Sequence, residues 1–334
     1  MKGFTNRWKD FPDYIIGITK EIWENRGVGT LHDYYAKDIV VRSPMGIQRG
    51  NAAVMASTMA TINEFPDREL FGDDVIWSDD PDFGLLSSHR LITRATHTND
   101  GQFGPATGKP WTVRVIADCA AKADCIYDEW LVRDYGGIVR QLGMDPAAYA
   151  QNLIDAEGGP KTCARPFTPD QDIDGGYNSK GNDNPWGQRY ANTLQKIMDL
   201  DFHVIARDYD RAVNCEYAGG QTVLSHDSVT QFWLGLRSSF PDATFTIHHQ
   251  IGMEDNMLPP RAAIRWSLDG THSGWGAFGK PTGAPVHIMG MCHAEYGPFA
   301  NKDGPQDATI RRECALYDEI AIWKQILMHV PSGG

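Results

Sequence analysis

The chain has no apolar run long enough to cross a bilayer, and none near its N-terminus long enough for an export signal. A cytoplasmic location is the expectation that follows. Basic residues are in the minority: 31 Lys and Arg against 43 Asp and Glu leave a net charge of -12, with no basic cluster. That balance speaks against nucleic acid as a partner, since phosphate binding needs a concentrated basic surface, and against an anionic membrane. The six cysteines show no CxxC pair and no other zinc spacing. Cys119 and Cys125 could face each other across a hairpin, but free thiols are expected in a chain without an export signal. A phosphate-cradling glycine loop, a GxGxxG fingerprint and a Ser-His-Asp pattern are all missing. His248-His249 has no carboxylate or Cys at ligand spacing, so neither a metal nor a cofactor is expected.

What the sequence does have is a repetition at a spacing of 175 residues. Phe65-Pro66-Asp67 recurs as Phe240-Pro241-Asp242, Arg90 as Arg265, Thr96-His97 as Thr271-His272, and Thr107-Gly108 as Thr282-Gly283. Tyr34 pairs with Tyr209 in the same frame, with no gap needed through Pro110. An ordered series of this kind marks two copies of one domain. A length of 334 residues suits two single-core domains, and 41% hydrophobic with 22% charged residues is an ordinary globular composition.

Within each copy the hydrophobic period changes once, from helical to alternating. Residues 14–25, 31–36 and 51–62 read as helices, the last matched in the second copy by 226–236 behind a His226-Asp227-Ser228 cap. The segments 70–77, 85–98, 111–121 and 125–133 hold the β-branched and aromatic residues of an antiparallel meander. Helices first and strands last predict an α+β domain, a curved antiparallel sheet wrapped on helices. Residues 156–185, rich in Asp, Asn, Gly and Pro, read as an irregular surface linker between a first domain at 1–155 and a second at 186–334.

The second copy contains Asp269-Gly270-Thr271-His272-Ser273-Gly274 and Pro281-Thr282-Gly283; the first contains Ala95-Thr96-His97, Ala106-Thr107-Gly108 and a closing Arg140-Gln141-Leu142-Gly143. On these residues both halves resemble the SnoaL-like branch of the nuclear transport factor 2-like superfamily, over about 31–146 and 195–327. The resemblance implies two tandem cone-shaped α+β barrels joined through their outer sheet faces as an internal pseudo-dimer, with a further homodimer as an option. It also implies a small-molecule cavity, since family members related to SnoaL are polyketide cyclases that close a ring by an aldol step. Those cyclases use a His on the penultimate strand and an Asp on the last. The matching positions here are Ala117 and Leu131 in the first copy, and Cys292 and Ala321 in the second. Neither copy keeps the pair.

Other residues must then carry any proton transfer. Strand alternation puts His97 with Leu91, Thr93 and Ala95, and His272 with Ile264, Trp266 and Leu268, so both imidazoles are candidate bases facing a pocket. The competing reading makes each a hydrogen-bonded brace for the loop that follows. Tyr127-Asp128-Glu129 recurs as Tyr317-Asp318-Glu319 at a spacing of 190, which implies a 15-residue insertion near 298–306. Glu129 and Glu319 are candidate acids, with Tyr127 and Tyr317 on the same face; the alternative is a carboxylate at a wet strand end, paired with Arg90 or Arg265. Trp111 and Trp266 are candidate pocket walls and Arg90 and Arg265 candidate anion binders, although alternation turns Arg90 outward. Asp118 and His293 are equivalent outer-face positions that a pseudo-twofold axis would bring together.

The function expected is that of a cofactor-independent cyclase, isomerase or lyase acting on a small hydrophobic carbonyl compound. A non-catalytic small-molecule binding protein is the alternative, and a third arrangement has one working copy and one structural copy.

Overall fold

The computed structural model describes residues 1–297 and 308–329. Asp10 starts the first copy by accepting a hydrogen bond from the Asp13 N–H, and helix α1 (Phe11–Thr19) follows with Pro12 in its first turn. A π-helical turn, Lys20–Glu24, continues it, so Tyr14, Ile15, Ile18 and Ile22 form one buried stripe. Next come α2 (Leu31–Tyr34), β1 (Tyr35–Ser43), β2 (Gly46–Arg49), α3 (Asn51–Glu64), β3 (Glu69–Asp80), β4 (Gly84–Thr96), β5 (Pro110–Lys122) and β6 (Cys125–Arg133). Helices α4 (Tyr135–Gln141) and α5 (Pro146–Ala156) close the copy.

The second copy repeats the plan. It runs through α6 (Pro185–Met198), α7 (His203–Asp208), β7 (Tyr209–Tyr217), β8 (Gln221–Val223), α8 (His226–Ser239), β9 (Thr244–Asp255), β10 (Leu258–Thr271), β11 (Pro285–Tyr296), β12 (Ile310–Tyr317) and α9 (Glu319–His329). Strand orders are β2-β1-β6-β5-β4-β3 and β8-β7-β12-β11-β10-β9, so the chain folds as two α+β units of one topology. The expected meander is present as β3 to β6. The sheets are mixed, however, because β1 lies parallel to β6 and β7 parallel to β12.

Register refines the repeat. The 175-residue spacing holds from β3 to β5: Thr96 pairs with Pro110, and Thr271 with Pro285. Tyr35, not Tyr34, occupies the place of Tyr209, as Tyr35 pairs with Ile126 and Tyr209 with Ile310. The extra residue of the second copy falls in the turn between β7 and β8. On the last strand Glu129 pairs with Cys119 and Glu313 with Ala294, so the partner of Glu129 is Glu313, not Glu319. That spacing is 184 and corresponds to nine extra residues rather than fifteen. The segment 298–306 where the insertion was expected lies outside the described residues.

The outer faces of the two sheets pack together as an internal pseudo-dimer. Ile116 and Val132 meet Met289, Met291 and Leu316, while Ile76 and Leu86 meet Ile251 and Ala263. Buried ion pairs cross the seam, Arg261 to Asp74 and Arg90 to Glu295 at 3.1 Å. Asp118 and His293 do not pair directly; the Ser88 hydroxyl lies 2.9 Å from His293 Nε2 and also hydrogen-bonds Asp118. The linker is irregular and largely exposed or half-buried, but it is pinned to the sheets at several points. Phe167 and Tyr177 are buried, Tyr177 N–H donates to Asp128 at 3.1 Å, and Arg42 holds both Asp128 and Asp172. Gly181, at φ +100°, lies so close to Gln250 that a Cβ would sit 1.7 Å from its carbonyl oxygen.

Candidate functional site

Three cross-strand rows floor a cavity of ≈ 70 Å³ in the first copy: Cys119–Glu129, His89–Ala117–Leu131 and Leu91–Val115–Arg133. Ile15 and Ile18 of α1 and Ser57 and Thr58 of α3 cover it. Arg68, from the loop after α3, and Arg133 line both this cavity and a wider ≈ 430 Å³ groove that continues past Met45, Asn63 and Tyr135. Trp111 walls a side recess of ≈ 30 Å³ that shares Arg68, Val115 and Arg133 with the cavity.

Glu129 is 6% exposed, and its Oε2 has no hydrogen-bond partner among the described residues. Burial dominates and pushes its pKa up to about 7, against partial relief from Arg133 and from hydrogen bonds with Tyr35 and Cys119. His89, whose Nδ1 lies 3.1 Å from Ser87 Oγ, is driven by burial down to about 4 and is neutral at pH 7. Arg68 is lowered to about 10, first by burial and then by Arg133; its Nε donates to Thr93 Oγ1 at 3.1 Å. The lining therefore places a carboxyl that titrates near neutrality among apolar walls, with two guanidinium groups toward the mouth.

The second copy fills the same space. Its rows read Ala262–Ala294–Glu313, Ile264–Cys292–Ala315 and Trp266–Gly290–Tyr317. The Trp266 ring lies over Gly290, where a Cβ would meet it at 2.1 Å, and its Nε1 donates to Cys292 Sγ at 3.0 Å. Ser57 and Thr58 have become Phe232 and Trp233, with Phe232 stacked on Tyr217 at 4.0 Å and on Tyr317 at 5.7 Å. Glu313 accepts hydrogen bonds from Tyr190 and Tyr209, each at 2.7 Å, and from Tyr217. Its pKa is raised, through burial. Among the described residues this space is packed as a hydrophobic core.

A model of the SnoaL-like polyketide cyclase family matches residues 14–142, and a SnoaL-like domain model matches 188–296. The chain belongs to the SnoaL-like family, with two such domains in tandem. No curated protein matches it. Among solved structures it is similar to IdmH, a polyketide cyclase candidate from Streptomyces antibioticus, at 22% identity over 40% of this chain and 98% of that one, with TM-score 0.35. A SnoaL-like polyketide cyclase candidate from Jannaschia sp. CCS1 gives 13% identity, 43% and 96% coverage, and TM-score 0.34. AclR, a hydroxylase candidate from Streptomyces galilaeus, gives 16%, 39% and 92%, and 0.34.

Within these SnoaL-like domains Ala117 and Leu131 are direct cross-strand neighbours on the cavity floor, while the position opposite Cys292 is Ala315, not Ala321. Of the residues singled out from the sequence, Glu129 lies in the cavity and Trp111 in its recess. His97 and His272 do not line the cavity. Each is fully buried beside the following loop, Nδ1 3.2 Å from Thr107 Oγ1 and 3.1 Å from Thr282 Oγ1, stacked at a tilt on Phe65 and Phe240. Both fit the loop-brace reading, and burial lowers the His272 pKa.

Tyr127 faces outward because a bulge between Ala120 and Ala121 reverses the alternation, and its hydroxyl donates to Phe83 O at 2.6 Å. Tyr317 is part of the second core, and Glu319 opens α9, where Arg140 of the first copy binds it. Arg90 and Arg265 are on the outer faces, at the seam, with Arg90 bound to Asp73 at 2.6 Å. Trp266 fills the second hollow instead of lining an open one. His89, Arg68, Arg133 and Tyr35 were not anticipated. His89 has the same strand parity as His97, which was the available signal; Arg68 and Tyr35 come from a loop and from a strand hidden in the β1 segment.

Proposed function

We propose that the first copy is a cofactor-independent acid/base enzyme of the cyclase, isomerase or lyase type, acting on a small hydrophobic carbonyl compound, with Glu129 as its proton-transfer group. The single observation that carries this reading is the buried Glu129 Oε2, without a hydrogen-bond partner among the described residues, on a cavity-lining carboxyl whose pKa burial pushes up to about 7. Ionised Glu129 removes a proton from the carbon next to the substrate carbonyl. The electron pair moves onto the carbonyl oxygen as an enolate, which Arg68 or Arg133 stabilises at the mouth. Glu129 then returns the proton to another carbon, or to the alkoxide formed when the enolate closes a ring. With its Nδ1 accepting from the Ser87 hydroxyl, neutral His89 can donate its single N–H, on Nε2, to a carbonyl oxygen. The apolar Ala117 and Leu131 favour a second reading, a pocket that binds without turnover.

Proton exchange tests the choice. Cyclohexanone in D2O, followed by NMR, should lose its α-protons faster with the protein than in buffer. Glu129→Gln should slow that exchange by about 100-fold. Binding of the ketone with exchange no faster than in buffer would establish the second reading.

A further inference from the structure

The outer side of the seam holds a separate groove of ≈ 220 Å³, where the linker crosses between the sheets. Its wall includes Trp130, Phe167, Lys180, Arg265 and Met289. Arg265 is 7% exposed, with its guanidinium carbon 3.5 Å from the centre of the Trp130 ring. Its Nε and Nη1 have no hydrogen-bond partner among the described residues, and the carboxylate facing it, Asp118, has Oδ2 3.7 Å from Nε. Two further carboxylates of this region are already engaged, Asp172 by Arg42 and Asp269 by His287. His248 is held neutral by burial, at about 4, while Lys180 adds a positive charge at the exposed rim.

A buried guanidinium whose Nε and Nη1 lack a protein acceptor among the described residues is costly unless a ligand or water accepts from it, and Arg265 lines the groove. The volume exceeds what a single water needs, and Phe167 and Met289 give it an apolar side. We propose that the groove is a second binding site, for a small organic carboxylate whose oxygens meet Arg265 and Lys180 and whose apolar body lies against Phe167 and Met289. It does not depend on the acid/base reading of the first cavity. The two sites share no lining residue, although Trp130 of the groove stands between Glu129 and Leu131 of the cavity on β6.

Calorimetric titration of the full chain with benzoate, and separately with inorganic phosphate, tests the assignment. Saturable benzoate binding is expected with a Kd of about 0.1–10 mM, and phosphate should bind more weakly. Lys180→Glu and Asn178→Trp alter exposed positions of the groove and should each weaken benzoate by at least about tenfold; Arg265→Lys, which keeps the charge but loses the planar fork, should do the same. Leu91→Trp, which closes the first-copy cavity, should bind benzoate as the parent does. The proposal is overturned by an absence of benzoate binding, by unchanged binding in both Lys180→Glu and Asn178→Trp, by loss of binding in Leu91→Trp alone, or by phosphate binding in preference to benzoate.

Discussion

Glu129 and Glu313 hold the same register position on the last strand of each sheet, and their neighbours give them opposite fates. Three tyrosine hydroxyls occupy Glu313, whereas Glu129 keeps one oxygen open. The open carboxyl has a cost that pH reveals. Its pKa rises from 4.5 unfolded to about 7 folded, so the folded state holds the proton more tightly. The stability tied to that proton is fully present below about 4.5 and is lost as pH rises through about 7, a change of at most about 3 kcal/mol. Glu129→Gln removes the titration. Its thermal midpoint, relative to the parent, should therefore be higher at pH 8 than at pH 5; a pH-independent difference would show that Glu129 titrates normally.

At the level of strands and helices, much of the architecture was legible because hydrophobic period and an ungapped repeat both report on the pleat. β6 was read at its true limits, and β3 to β5 within a few residues. The β1 segment was missed: Tyr35–Ser43 follows a helical turn at once, its hairpin partner β2 is only four residues long, and its other neighbour, the parallel β6, lies far along the chain. Glu319 was misassigned because Tyr317-Asp318-Glu319 copies a triplet without copying its register; Tyr317 ends β12 and Asp318 caps α9, accepting from the Ile320 N–H at 2.9 Å. The cavity itself depends on which helix side chains reach the sheet, and strand parity says nothing about those. Packing between rows makes a prediction at this scale. Gly290→Val should destabilise by about 2 kcal/mol, because its Cβ meets the Trp266 ring, and Trp266→Leu should relieve much of that by recreating the Leu91–Val115 pair. Denaturant titration of both single variants and the double variant measures the coupling; additive losses would contradict the packing described.

Across the whole molecule, the tandem arrangement joins one hollow domain to one solid domain through a seam of buried apolar side chains and ion pairs. The first copy holds a carboxyl, an imidazole and two guanidinium groups around open space; the second replaces those surroundings with Trp233, Trp266, Tyr190 and Tyr217. The proposed function accordingly assigns chemistry to the first domain and support to the second. The contact between them also fixes β5 and β6 from behind, which holds the cavity floor in register. The most direct test compares two equivalent substitutions, Glu129→Gln and Glu313→Gln, by NMR-monitored exchange of ketone α-protons alongside thermal unfolding. The account predicts that Glu129→Gln loses exchange with its fold intact, while Glu313→Gln, once corrected for any unfolded fraction, exchanges at the parent rate. Equal loss of exchange in two folded variants, or exchange that survives Glu129→Gln, would contradict it.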